Sequence, residues 1–541
     1  MIRFPFALLL IVLPLLSIAQ TDSVTVSGRI LNLTPRLYRQ SPNVLISRNN
    51  LLQPNAELTR PAPLNPDGTY SMKMPVIFGQ EEMYFSFASV STPFLAAPGS
   101  VTINLNADSL FRAAIPFTFG GVNARVNTQY ARYKAFEAKQ PKIDNEKLSQ
   151  QISNQDLTTA FNRVRTVYYE PFAKFSREVE RPFPLVKQWI LNANRYNAAS
   201  FVYDIAMFGL RSVPSALDDS LRPPNDPILT ASRAVSVERM ANFVVQHQGG
   251  SESLPIGDLA GLLLRYGKKL TDIERESLTK WQRSKTARTS DLRQMQRIME
   301  RNGDTLQRLM NYQLLINRAK PLIDSASRPT LTAYWLASSL PTLTIDQAQL
   351  LYGFARPRLT DERLIQSLDE LYKQAIGDSV RIRRAVRQLA NKKVTNVDVS
   401  LGVFVSKDND LSGSSLLNEW AKTNRSSLVY VILWSPNNEN SLKTIGQAQR
   451  LRDTYPPNDL ALLYIAMPND NATLREEYII RNNLKGDHLL LTTDQYDTLG
   501  FDSFSGAVLL DRSGKVVKRN VPLPDQFDEL NKQIQRQLNR R

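Results

Sequence analysis

The segment Ser435-Pro-Asn-Asn-Glu-Asn-Ser441 brings a hydroxyl (Ser441), a carboxylate (Glu439) and three amides (Asn437, Asn438, Asn440) into one short turn. It follows an apolar run, Val429 to Trp434, which ends in an indole. A serine hydroxyl becomes a nucleophile only beside a general base. The chain's two histidines are His247, in a helix-patterned stretch, and His488, at the start of a short apolar strand. Both read as structural, and a lone Glu439 on a turn reads as solvated. With no cysteine in 541 residues, neither thiol–disulfide exchange nor a zinc site of the usual His/Cys kind has its ligands. No P-loop or dinucleotide glycine pattern occurs, so no nucleotide or other cofactor is expected. These residues assign no catalytic group.

The elements that must position this turn begin after a leader. Met1 to Gln20 carries one basic residue, Arg3, then an apolar run from Phe4 to Leu16 and a small-residue site at Ser17-Ile18-Ala19. That layout predicts a cleaved signal peptide over residues 1–19, hence a periplasmic or secreted protein. The apolar run is short for a spanning helix, and no cysteine follows it to carry a lipid anchor. Loss of Arg3 leaves 66 of the 67 basic residues against 51 acidic ones. The excess favours anionic partners, lipid headgroups or acidic glycans, and export argues against nucleic acid.

Three regions follow. Over residues 20–122, Val24, Val26 and Ile30, then Val101, Ile103 and Leu105, alternate with polar residues, and Asp67-Gly68 and Pro98-Gly99 mark turns. The pattern predicts a β-sandwich. Over 123–396 the period becomes helical: Leu157, Phe161, Val164 and Tyr168 share one face, as do Leu364, Leu368 and Leu371. Thr271 to Glu274 fits a capping box, and prolines at 182, 184, 223 and 224 break the helices. Two basic clusters lie there, Lys280, Arg283, Lys285, Arg288, Arg293 and Arg297, then Arg381, Arg383, Arg384 and Arg387. They read as solvated helix backs, or as a surface for anionic lipid or glycan. Asp219-Ser220-Leu221, Asp324-Ser325-Ala326 and Asp378-Ser379-Val380 resemble an O-glycosylation acceptor of some Gram-negative envelopes. Over 397–541 strands and helices alternate, then give a hairpin and a terminal helix, which predicts an α/β domain with a mixed sheet.

This last region resembles exported thioredoxin-like proteins of the TlpA/ResA type. Leu433-Trp434-Ser435 matches the end of the family's strand before its Cys-x-x-Cys, and Val508 to Val517 matches its late strand, turn and strand. The β-rich start and helical insert also resemble exported members, on Asp67 to Tyr70, Pro98-Gly99 and Gly120 to Asn123. The resemblance places Asn438 and Ser441 at the two cysteine positions and Asn437 at the tryptophan before them. It puts Ile432 at a buried acid and Ser505 at a proline that is cis in the family. A cis bond before a non-proline residue costs about 3 kcal/mol, so that loop is expected to be trans. The resemblance further implies a peptide-binding groove lined by Trp434, Asn437, Glu439, Asn440, Phe504, Ser505 and Gly506. The expectation is a multidomain protein of β-sandwich, all-α middle and thioredoxin-like C-terminal domain. It would be redox-inactive and would bind an extended peptide or an envelope protein. The alternatives are a hydrolase or transferase using the polar turn, and an anionic-surface binder.

Overall fold

The computed structural model describes residues 22–539 apart from positions 89, 111, 224, 248–253, 268–269, 285–287, 390–395, 401–402, 408–409, 424–427, 436–440, 442–443, 446, 457, 467–474, 476–477, 480–483, 485, 500–505 and 512. The chain forms two compact units, one running to Tyr372 and the other starting at Lys373.

The first unit opens with β1 (Ser23–Leu31), β2 (Asn43–Asn50), β3 (Gln53–Pro63), β4 (Thr69–Pro75), β5 (Gln80–Phe87), β6 (Val90–Ala96), β7 (Gly99–Asn106) and β8 (Phe117–Gly121). One sheet has the order β4-β1-β7-β8, the other β3-β2-β5-β6. The alternating residues Val24, Val26, Val101 and Ile103 of the first sheet meet Val44, Ile46, Met83 and Phe85 of the second in one core. The Asp67-Gly68 turn depends on glycine: Gly68 has φ +81°, and a Cβ there would lie 2.3 Å from the Ile30 carbonyl oxygen.

The helices after β8 are built onto this β region. Helix Ala124–Glu137 follows β8 directly, and its Asn127 amide oxygen accepts from the Leu95 N–H at 2.8 Å. Leu157, Phe161 and Val164 are buried on helix Leu157–Glu178, and Pro184 opens the next helix, Pro184–Phe208, at its first turn. A two-residue strand, β9 (Ile228–Leu229), leaves the helical stretch to pair in parallel with β5, which the sequence pattern did not foretell. Thr271 and Glu274 form the expected box: each backbone N–H donates to the other's side chain, at 2.9 and 3.3 Å. Leu364, Leu368 and Leu371 are buried on helix Glu362–Leu389.

The second unit is α/β. Its strands are β10 (Asn396–Ser400), β11 (Val403–Ser406), β12 (Leu428–Trp434), β13 (Leu460–Ala466), β14 (Gly486–Leu489), β15 (Ala507–Asp511) and β16 (Val516–Val521). They form one sheet, β10-β11-β14-β13-β12-β15-β16. Strands β11, β14, β13 and β12 run parallel, whereas β10, β15 and β16 each run antiparallel to their neighbours. Every residue of β12 and β13 is buried, as expected of strands covered on both faces. Tyr430, Ile432 and Trp434 pack toward Ile445, Leu451, Leu530 and Ile534 on one face; Val429, Val431 and Leu433 pack toward Leu416, Leu417 and Trp420 on the other. The terminal helix Phe527–Leu538 buries Leu530 and Ile534, four residues apart.

Candidate functional site

Trp434, the last residue of β12, is 1 % exposed and packs beside Tyr478, ring centroids 5.5 Å apart. It belongs to the core there. Ser441 is helical, and its hydroxyl accepts the Ser435 N–H at 3.0 Å. The bond joins Ser441 to the residue that directly follows β12. Gly506 accepts the Leu433 N–H through its carbonyl at 3.1 Å, holding the start of β15 against the end of β12. Asn437, Asn438, Glu439, Asn440, Phe504 and Ser505 lie outside the described residues, as does the peptide bond into Ser505.

Each histidine has a ring nitrogen within hydrogen-bond distance of a backbone carbonyl. His488 is buried in β14, its Nε2 is 2.7 Å from the Leu484 carbonyl oxygen, and its ring stacks on Tyr464 at 4.7 Å. Its register partners, Val405 and Tyr464, lie within the sheet. His247 caps the helix Ala231–Gln246, with Nδ1 3.0 Å from the Phe243 carbonyl oxygen. Ile432, where the sequence resemblance implies a buried acid, sits among hydrocarbon. No group of His, Asp or Glu side chains able to hold a metal ion occurs among the described residues.

Sequence reasoning missed a cavity of about 450 Å³ in the first unit. Its wall combines the helix face Arg233, Ser236, Val237 and Met240 with Arg222, Asp324 and Arg363, residues distant in sequence. The first four recur at i, i+3, i+4 and i+7, so one face of Ala231–Gln246 looks into the space. Arg222 is fully engaged: its guanidinium binds Asp218, donates to Asp324 at 2.8 Å and to the Tyr203 hydroxyl at 2.5 Å. Burial raises the Tyr203 hydroxyl to about 12, with Arg222 opposing the rise. Burial also pushes the Asp324 carboxyl upward, but the Ser327 hydroxyl and Arg222 outweigh it and hold the group below its ordinary range.

Beside this network, buried Asp226 accepts from Asn192 at 2.6 Å and from the Tyr196 hydroxyl at 2.9 Å. The Asp226 backbone carbonyl receives Arg233 at 3.1 Å and Arg363 at 3.0 Å. Both guanidiniums also lie on the Phe78 ring, 4.9 and 5.4 Å from its centroid. Arg363 is paired with Asp361 at 2.9 Å, whereas Arg233 has no carboxylate within ion-pair distance among the described residues. Two of the three Asp-Ser motifs contribute their acids, Asp219 and Asp324, to this wall.

The basic clusters are surface features. Lys280, Arg283, Arg288, Arg293 and Arg297 are exposed, while Leu278, Trp281, Met295 and Ile298 on the same helices are buried. Arg384 and Arg387 are exposed too; the side chains of Arg381 and Arg383, and residue Lys285, lie outside the described set. Among the described residues no helix is long and apolar enough to cross a membrane.

No family model and no curated protein matches the chain. Among solved structures, it is similar to a Bacteroides vulgatus solution structure provisionally described as a thiol–disulfide oxidoreductase. The identity is 19 %, over 21 % of this chain and 74 % of that one, with a TM-score of 0.19.

Proposed function

We propose that the second unit is a thioredoxin-like domain without thiol chemistry, in an exported protein that acts as a binding or scaffold module of the cell envelope. The observation that carries this reading is the surroundings of β12. This wholly buried strand lies between parallel β13 and antiparallel β15, with β16 beyond, and a helical residue, Ser441, begins the segment after its turn. Strand, helix, strand, hairpin and terminal helix is the order the sequence resemblance implies. The chain has no cysteine, so no thiolate can attack a disulfide. What the sequence keeps after β12 is three amides, a carboxylate and the Ser441 hydroxyl, groups able to hold an extended peptide by hydrogen bonds.

The test is a pair of assays on the purified protein. Dithiothreitol-driven insulin reduction is expected to stay at the uncatalysed rate. Titration with an unfolded, S-alkylated polypeptide is expected to saturate, and Asn437→Lys/Asn440→Lys is expected to weaken it. Absence of saturable binding contradicts the module reading; turnover of insulin contradicts loss of thiol chemistry.

A second reading rests on the first basic cluster. Lys280, Arg283, Arg288, Arg293 and Arg297 form no ion pair among the described residues. They supply unneutralised positive charge for anionic lipid or glycan. Binding to phosphatidylglycerol vesicles should then fall steeply between low and physiological salt. Salt-independent or absent binding rules it out.

A further inference from the structure

The geometry points to a second binding site: we propose that the cavity between helix Ala231–Gln246 and Arg222 takes a small zwitterionic carboxylate, a free amino acid or short peptide, with its carboxylate on Arg233. Its volume of about 450 Å³ lies within the range of small-molecule sites. Arg222 and Arg363 are already neutralised by Asp218, Asp324 and Asp361. Arg233 is different. Its Nη1 donates to the Asp226 and Ile228 carbonyls, and the Phe78 and Tyr196 rings hold its plane, at 4.9 and 5.7 Å. Nε and Nη2 have no acceptor among the described residues. That leaves one edge of a pre-oriented guanidinium, the fork that a carboxylate meets with two parallel hydrogen bonds.

The charge of the wall selects among anions. Three arginines face four aspartates, a net charge of −1, so the wall disfavours anions in proportion to their charge and a doubly charged phosphate most, whereas a zwitterion, whose ammonium offsets its carboxylate, adds no net charge. Asp219, exposed and without a partner among the described residues, offers an acceptor for an ammonium group. Leu51, Leu221, Val237 and Met240 supply an apolar wall for a side chain. This site lies wholly in the first unit and stands independently of the thioredoxin-like reading.

The experiment is calorimetric titration of the full-length protein with free amino acids and di- and tripeptides, each as acid and as C-terminal amide. At least one acid should bind saturably. Its amide should bind about 10- to 100-fold more weakly, the scale of a lost charge-assisted pair. Arg233→Lys should weaken the acid about tenfold by losing the fork. Asp219→Asn, an exposed change, should weaken the acid but leave its N-acetylated form unaffected. Should Arg233→Lys lose its fold by circular dichroism, the acid–amide comparison on the native chain decides. Equal affinity for acid and amide, tighter binding of inorganic phosphate, or no saturable binding by any compound overturns the proposal.

Discussion

Among the described residues, the first unit buries more polar side chains than the second. The first unit buries charge: Arg48 and Glu81, each 1 % exposed in its side chain, are paired at 3.1 Å, and Asp226 and Arg222 sit in hydrogen-bonded networks beside a cavity. The second buries hydrocarbon on both faces of one sheet, with few buried polar groups beside it, among them His488 in β14 and Arg475. Internal polar networks fix side chains in one arrangement, which is what recognition of a small polar ligand requires. A hydrocarbon-filled sheet instead provides a rigid platform, and any specificity must come from the turns at its edge. The same contrast separates the two proposed sites.

The largest effect should come from breaking a buried pair. Arg48→Met leaves Glu81 without its cation, and Glu370, which also binds Arg48, loses a partner. A loss of about 3–5 kcal/mol is expected in denaturant unfolding, because an uncompensated buried charge remains. Arg48→Met/Glu81→Gln should recover part of it, since the neutral amide oxygen can still accept the Ile77 and Phe78 N–H groups. If the double variant is no better than the single one, the networks of the first unit are not limited by desolvation, and the contrast weakens.

In the second unit the corresponding damage is a void. Leu463 is completely buried in β13, and Leu463→Ala should cost about 2–5 kcal/mol without any dependence on pH. The first unit, by contrast, should respond to acid through Asp324. Its carboxyl lies below the ordinary aspartate value of 3.8 in the folded state. The stability it contributes is therefore complete above about pH 4 and is lost as pH falls through the lower folded value. Asp324→Asn should flatten that acid limb, and an unchanged limb would show that Arg222 and Ser327 do not favour the ionised form. The smallest effect is at Ser441. Removing its hydroxyl in Ser441→Ala should cost about 1 kcal/mol, the worth of one hydrogen bond to the Ser435 N–H.

What the sequence disclosed follows from the same contrast. The alternation at Val24 to Ile30 and Val101 to Leu105 marked strands because one face is core and the other is not. The unbroken run Leu428 to Trp434 marked a central strand because both faces are covered. Leu157, Phe161 and Val164 showed their helix face for a similar reason. The cavity was not legible. Arg233 and Arg363 lie on two different helices and Arg222 and Asp324 on connections between helices, and no local spacing ties an arginine to an aspartate about a hundred residues away. The face Arg233, Ser236, Val237 and Met240 was a faint signal, since it mixes polar and apolar residues on one helical stripe. β9 was equally hidden: two residues have no period, and pairing with β5 defines them. At the polar turn, the sequence supplied the residue types, and the structure adds the bond from Ser435 to Ser441 and the burial of His488.

The proposal that the second unit is a thioredoxin-like domain without thiol chemistry is open to one direct measurement. Asn438→Cys/Ser441→Cys restores a Cys-x-x-Cys at the end of β12, and the double variant should form an internal disulfide by mass spectrometry. It should then accelerate dithiothreitol-driven insulin reduction above the native chain and above Ser441→Cys alone. A double variant whose cysteines stay reduced under oxidant, or whose insulin reduction equals that of Ser441→Cys, would contradict the account.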